Sequence, residues 1–216
     1  IKNIDLQNFN KNIYFQRGVY YSLIFNTRLA MFKDAETRKK FLKATPVEKI
    51  AKDRGLLAEG PLSQSSYKKE DLAFSNYDLN FKDNLKLKVV LTVPNNKEHI
   101  ETAELIKTSW KNIGVEVEVN AVSVDKIEKD LVLNRDFEVL LYGQEVSRDP
   151  DRYAIWHSSR IASPGLNISG FENIRLDRSL EEGRGALKHE DRKKHYNIFQ
   201  EVIHENTPVI FLYHPV

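Results

Sequence analysis

The chain has 216 residues, 41% hydrophobic and 30% charged, with 9 glycines and 7 prolines, the composition of an ordinary globular domain able to bury a sizeable core. Its 33 basic and 31 acidic side chains give a formal charge of +2 and are interspersed along the chain, which argues against a nucleic-acid partner. The absence of cysteine removes disulfides, thiolate nucleophiles and thiolate metal sites, and no run approaches the ~20 apolar residues of a membrane-spanning helix.

Val19–Thr27 is a dense β-branched and aromatic run of strand length that ends on the polar pair Asn26-Thr27. A helix is expected from Asp34 to Ala44, where Phe41 and Leu42 stand among basic residues. A second is expected to start at Thr45-Pro46-Val47-Glu48, with Thr45 as cap, proline in the first turn and Glu48 closing a capping box. Gly55 ends it. Gly60–Asp71 is polar and aperiodic, the composition of a surface loop. Leu85–Val93 then alternates as a strand and breaks at Pro94-Asn95-Asn96. Glu98–Ile113 carries Ile100, Ala103, Ile106, Trp110 and Ile113 on one helical face with Gly114 at its C-cap, and Val115–Val119 resumes as a strand with one wet face. Strand, helix and strand with short links form the βαβ pattern of a parallel sheet.

Asp125 and Glu128 suggest a capping box for a helix running through Leu133, followed by a buried strand, Phe137–Tyr142, that Gly143 terminates. After the irregular Gln144–Asn173 stretch, Leu176, Leu180, Gly183 and Leu187 recur at helical spacing, as do Tyr196, Phe199 and Ile203. Pro208 stops the last helix and Val209–Tyr213 closes the chain as a strand. The expected fold class is α/β, a mixed sheet flanked by helices.

Chemistry-bearing motifs are sparse. The phosphate-cradling, dinucleotide, zinc-protease and nucleophile-elbow signatures are absent, and the six histidines show no metal-ligand spacing. No cofactor, metal or catalytic residue is therefore expected. The densest polar constellation follows the Phe137–Tyr142 strand, at a strand end where α/β folds place ligands. Gln144, Glu145, Asp149 and Asp151 offer acceptors to a donor such as an amine, and Tyr142 and Trp156 offer stacking surfaces, with His157 beside them. Arg148-Asp149-Pro150-Asp151 is equally an ordinary solvated turn, and Trp156 is open to either a ligand-facing or a buried role.

The order of segments resembles the family-5 solute-binding proteins that feed oligopeptide, dipeptide and nickel ABC importers. Tyr20–Thr27 is similar to the family's strand ending in Asn-Thr, and Gly60-Pro61-Leu62 to its Gly-Pro-Leu loop. Leu87–Val119 is similar to its strand, long helix, Ile-Gly-Val and strand. Phe137–Gly143 with Asp149-Pro150-Asp151, Asn167–Phe171, Asp177–Leu180, Arg192–Tyr196 and Pro208–Tyr213 follow in the family's order.

The resemblance implies one lobe of a type II periplasmic-binding architecture spanning residues 1–216, with hinge crossings at both termini and Ile1 near Val216. The sequence opens without Met, and a piece of a longer protein is expected. It further implies a small solute such as an oligopeptide, held against a second lobe of the same polypeptide and passed to an ABC permease. The implied location is extracytoplasmic, tethered by lipid or free. A transport-independent sensor or adhesion domain is the alternative on the same fold, and a hydrolase is a third reading. The peptide-binding members carry an aspartate for the peptide amino group in the loop after the strand matched by Phe137–Gly143. Gln144-Glu145-Val146-Ser147 stands there, with Glu145 able to take the carboxylate role, and Tyr213 matches an aromatic position near the ligand.

Overall fold

A computed structural model gives the structure and describes residues 14–216. The chain enters at β1 (Val19–Phe25) and passes through a 3-10 turn to α1 (Ala35–Ala44), α2 (Val47–Arg54) and the short β2 (Gly55–Leu57). A long loop leads to β3 (Leu87–Pro94), α3 (Lys97–Trp110) and β4 (Val115–Val122). Next come α4 (Val124–Lys126), continued as π-helix over Ile127–Val132, and β5 (Val139–Glu145). The single turn α5 (Tyr153–Trp156), then α6 (Ile174–Gly185), α7 (His189–Asn206) and β6 (Val209–Pro215) complete it. Among the described residues the strands form one sheet in the order β2-β6-β1-β5-β3-β4. β3 runs parallel to β4 and β5, whereas β1 is antiparallel to β5 and β6. The expected mixed α/β sheet and its β3-α3-β4 unit are present.

Strand alternation divides the sheet between two cores. Leu23, Phe25, Leu91, Val139, Leu141, Ile210 and Leu212 share a core with Phe41, Val47, Ile50, Ile106 and Trp110 from α1, α2 and α3. Ile24, Leu140, Val209 and Phe211 share the opposite core with Leu176, Leu180, Phe199, Val202 and Ile203 of α6 and α7. Each fully buried side chain of this size contributes about 1.5–3 kcal/mol. Helix starts are set by short polar side chains: Asp34 accepts from Glu36 N and Thr37 N, Asn96 from His99 N, and Asn173 from Leu176 N.

Five local expectations change. Thr45 does not cap α2, because the buried Trp110 indole requires an acceptor and takes the Thr45 hydroxyl at 2.9 Å. Ser123, not Asp125, caps α4 by accepting from Lys126 N. Gly143 does not end β5, since it pairs with Tyr21 across the sheet and the strand continues to Glu145. A side chain at Gly143 would meet the Tyr21 ring at 3.0 Å, so glycine is used here for close approach. Leu187 lies beyond the end of α6 and is exposed. The Gly60–Asp71 loop is anchored instead of lying free on the surface: Leu62 and Tyr67 are buried, Gln200 Nε2 donates to Tyr67 O at 2.9 Å, and Lys69 N donates to Gln200 Oε1 at 3.1 Å.

Candidate functional site

Because β1 is antiparallel to both β5 and β6, its first residues meet the last residues of those two strands. Gln144 pairs with Tyr20, Tyr142 with Ser22, and Tyr213 with Tyr21. Three predicted residues from two distant segments, Tyr142, Gln144 and Tyr213, thus gather at one end of the central strands, the edge that their ends form. Tyr20 and Gln144 are buried there, with Tyr20 Oη donating to Gln144 Oε1 at 3.4 Å. On the other face Tyr21 stacks on Tyr213 at 5.1 Å between ring centroids and lies 4.8 Å from the His99 ring. Burial pushes the Tyr20 phenol up to about 12 and raises Tyr21, Tyr142 and Tyr213 as well. All four therefore present neutral hydroxyls at physiological pH.

His99 and His214 frame this edge. Asn96 Nδ2 donates to His99 Nδ1 at 2.7 Å, which assigns the ring proton to Nε2. His214 Nδ1 donates to Val19 O at 2.7 Å and its Nε2 accepts from Ser63 Oγ at 2.5 Å. Burial lowers both imidazoles below their ordinary value and keeps them neutral. Among the described residues, His99 Nε2 and Tyr213 Oη are buried without a hydrogen-bond partner. Such groups are uncommon in a folded interior.

The remaining predicted residues divide sharply. Glu145 ends β5 opposite Val19, exposed and with no ion-pair partner among the described residues. Asp149 and Asp151 form the turn that the sequence allowed: Asp149 Oδ1 accepts from Asp151 N, and Asp151 Oδ1 from Tyr153 N, each at 2.9 Å. Arg192 engages the Asp149 carboxylate at 3.2 Å and Arg184 that of Asp151 at 3.0 Å. Each carboxylate thus has an arginine partner within the lobe. Trp156 is 2% exposed, with its ring 6.4 Å from that of Phe199, so of its two readings burial is the one realised. His157 stacks on Tyr153 at 4.1 Å, its Nδ1 accepts from Ser159 N, and its Nε2 reaches Glu181 at 3.3 Å. Both of its nitrogens hold the α5–α6 connection together.

Beside the edge lies a cavity of about 490 Å³ between the start of β1, the end of β6, the Pro61–Tyr67 loop and the turn after β5. Tyr20, Ser63, Arg152 and His214 line it, and Tyr20, Ser63 and Arg152 are not singled out by the sequence. Tyr20 was hidden inside a run read as buried strand, and the others come from separate segments whose meeting depends on topology. Among the described residues no group of three or more His, Asp or Glu is placed to hold a metal.

Residues 1–162 match the model of the bacterial extracellular solute-binding proteins, family 5, in its middle region. The chain belongs to this family. It is a family of extracellular substrate-binding proteins, not of enzymes. The oligopeptide-binding protein AppA of Bacillus subtilis is 26% identical over 225 residues, covering 91% of this chain and 41% of that protein. Heme-binding protein A of Haemophilus influenzae is 26% identical over 227 residues, covering 93% of this chain and 40% of that protein. This family-5 chain thus spans well under half the length of the relatives it matches. The structure of Bacillus subtilis AppA with a nonapeptide superposes with a TM-score of 0.81 at 25% identity, over 91% of this chain and 45% of that one. DppA of Helicobacter pylori, in complex with the peptide STSA, shares the fold at a TM-score of 0.82 and 19% identity, over 91% of this chain and 41% of that one.

Proposed function

We propose that the chain is one lobe of the substrate-binding component of an ABC importer, working outside the cytoplasmic membrane. It would capture a peptide or similar small solute against a second lobe and deliver it to the permease. The observation that carries this reading is the convergence of Tyr142, Gln144 and Tyr213, with Tyr20 and Tyr21, on the two faces of the central strand ends in a chain of the family. Neutral phenols and a carboxamide suit non-covalent capture: they give apolar area and hydrogen bonds. The buried and unpartnered His99 Nε2 and Tyr213 Oη lie beside Tyr21 on the opposite face of the same strand ends. Glu145 is exposed at the rim without an ion-pair partner among the described residues and is assigned the ligand's amino group. AppA, the relative with a nonapeptide, makes peptides the first solutes to test. The full-length protein should gain thermal stability in at least one class of a panel of peptides, oligosaccharides and metal chelates. Silence across all three contradicts the proposal.

A further inference from the structure

A second charged cavity lies at the other end of the central strands. Its volume is about 590 Å³, and Thr27, Arg28, Lys33, Arg38, Glu172 and Asn173 are among its lining residues. Thr27 stands just past the end of β1, whose first residues belong to the solute edge, so roughly 20 Å of strand separates the two places. Three cations meet one acid in this wall. Arg38 is 2% exposed, and its guanidinium donates to the carbonyls of Lys33, Asn206 and Thr207. Arg28 Nη2 donates to Ile168 O at 3.1 Å, and its guanidinium lies across Gly170, where a Cβ would stand 2.0 Å from Nη1. Both arginines are therefore oriented by backbone groups, and neither has a carboxylate partner among the described residues. Lys33 is exposed and has no ion-pair partner among them either. Arg135 stands near Arg28 as a further cation and donates to the carbonyls of Ile161 and Gly165. Glu172 supplies one negative charge, and the Asp34 carboxylate near Arg38 is engaged at the start of α1, accepting from Glu36 N and Thr37 N. Asn173 caps α6, whose first-turn N–H groups add partial positive charge at the same place.

We propose that this cavity is an anion site that takes a phosphate group, separate from the solute edge and independent of solute capture. Guanidinium groups offer paired N–H donors to phosphate oxygens, and Lys33 adds a point charge on a flexible stem. A multiply charged anion offsets the excess of three cations over one acid, whereas a single carboxylate meets only part of it. Two sources carry this chemistry, inorganic phosphate and the headgroup of an anionic phospholipid. Ile174, next in the chain to Asn173, is 88% exposed and would give a bilayer surface an apolar contact.

The test uses the full-length protein with two probes, inorganic phosphate in calorimetry and phosphatidylglycerol vesicles in cosedimentation. Wild type is compared with Lys33→Glu and with Lys82→Glu, the latter an exposed lysine outside the cavity. Both variants should melt with wild type, because both lysines are exposed and without an ion-pair partner among the described residues. Lys33→Glu should weaken binding by about tenfold or more, since an attraction becomes a repulsion, while Lys82→Glu should leave it within about twofold. Arg28→Gln, which introduces no negative charge, should lose binding in the same direction as Lys33→Glu. A loss confined to phosphate identifies the free anion as the occupant, and a loss with vesicles identifies the headgroup; either supports the site. No binding of either probe by wild type, or equal binding by the Lys33→Glu and Lys82→Glu proteins, overturns the inference and leaves solute capture standing.

Discussion

Thr45 shows how a single hydroxyl redirects a local pattern. Its Oγ1 donates to Phe41 O at 2.7 Å and accepts from Trp110 Nε1 at 2.9 Å, joining α1 to α3 inside the larger core. Thr45→Val keeps the shape and strands a buried indole N–H, so a loss of about 1–3 kcal/mol in urea unfolding is expected. A loss near zero would mean that the hydrogen bond contributes nothing net. His99 and His214 predict a pH dependence. Burial holds both below the ordinary imidazole value of about 6.5, so the unfolded chain binds protons there that the folded chain refuses. Stability is therefore full above that value and lost as pH falls through it. Melting temperatures should drop between pH 7.5 and pH 5.5, and the double substitution His99→Asn, His214→Gln should flatten that slope. An equal slope in both proteins would assign the effect elsewhere.

At the scale of elements, regular patterns carried far and long-range partners did not. The alternation in β3, the apolar face of α3 and the Gly114 stop were readable because each depends on neighbours no more than four residues away. Arg38 was not: in a basic helix it reads as a solvent-facing charge, yet it is 2% exposed. Its guanidinium donates to Asn206 O and Thr207 O at the end of α7 and to the carbonyls of Phe32 and Lys33. Burial lowers it only to about 10, so it stays charged and complements the carbonyl end of α7. Gly55 is the other concealed constraint. The sequence marks it as a helix stop, but a Cβ there would stand 1.9 Å from His214 O across the β2–β6 pair. Gly55→Ala should therefore push the edge strand off β6 and cost about 1–3 kcal/mol, as overpacking does. Chemical denaturation measures the loss, and hydrogen exchange at Leu57 and Ala58 should accelerate. Unchanged stability would show that the edge yields freely.

For the whole molecule, the sheet order explains which parts of the site were legible. Tyr142, Gln144 and Glu145 followed from finding a strand and its end, and Tyr213 from the family resemblance. Their meeting with Tyr20 and Tyr21 required knowing that β1 lies between β5 and β6. Asp149, Asp151 and His157 were close in sequence to the strand end and make hydrogen bonds and ion pairs within the lobe, and Trp156 is buried, since proximity along the chain does not say which way a turn faces. The expected approach of Ile1 to Val216 falls partly on a residue outside the described ones. Among those described, Gln16 N donates to Pro215 O at 2.7 Å, which brings the approach to β1 against the end of β6.

Glu145 tests the polarity assigned to the solute. Glu145→Gln in the full-length protein should weaken binding of peptides with a free amino terminus by roughly tenfold to a hundredfold, the effect of losing about 1.5–3 kcal/mol of charged hydrogen bonding. Calorimetry should show no such loss with N-acetylated peptides, and equal losses for both would remove Glu145 from that role. The most direct measurement is a crystal structure of the full-length protein with a stabilising solute bound. The solute should lie in contact with Tyr21, Tyr142, Gln144 and Tyr213, between this sheet edge and the remainder of the polypeptide. A solute bound elsewhere, with that edge covered by protein, would contradict the account.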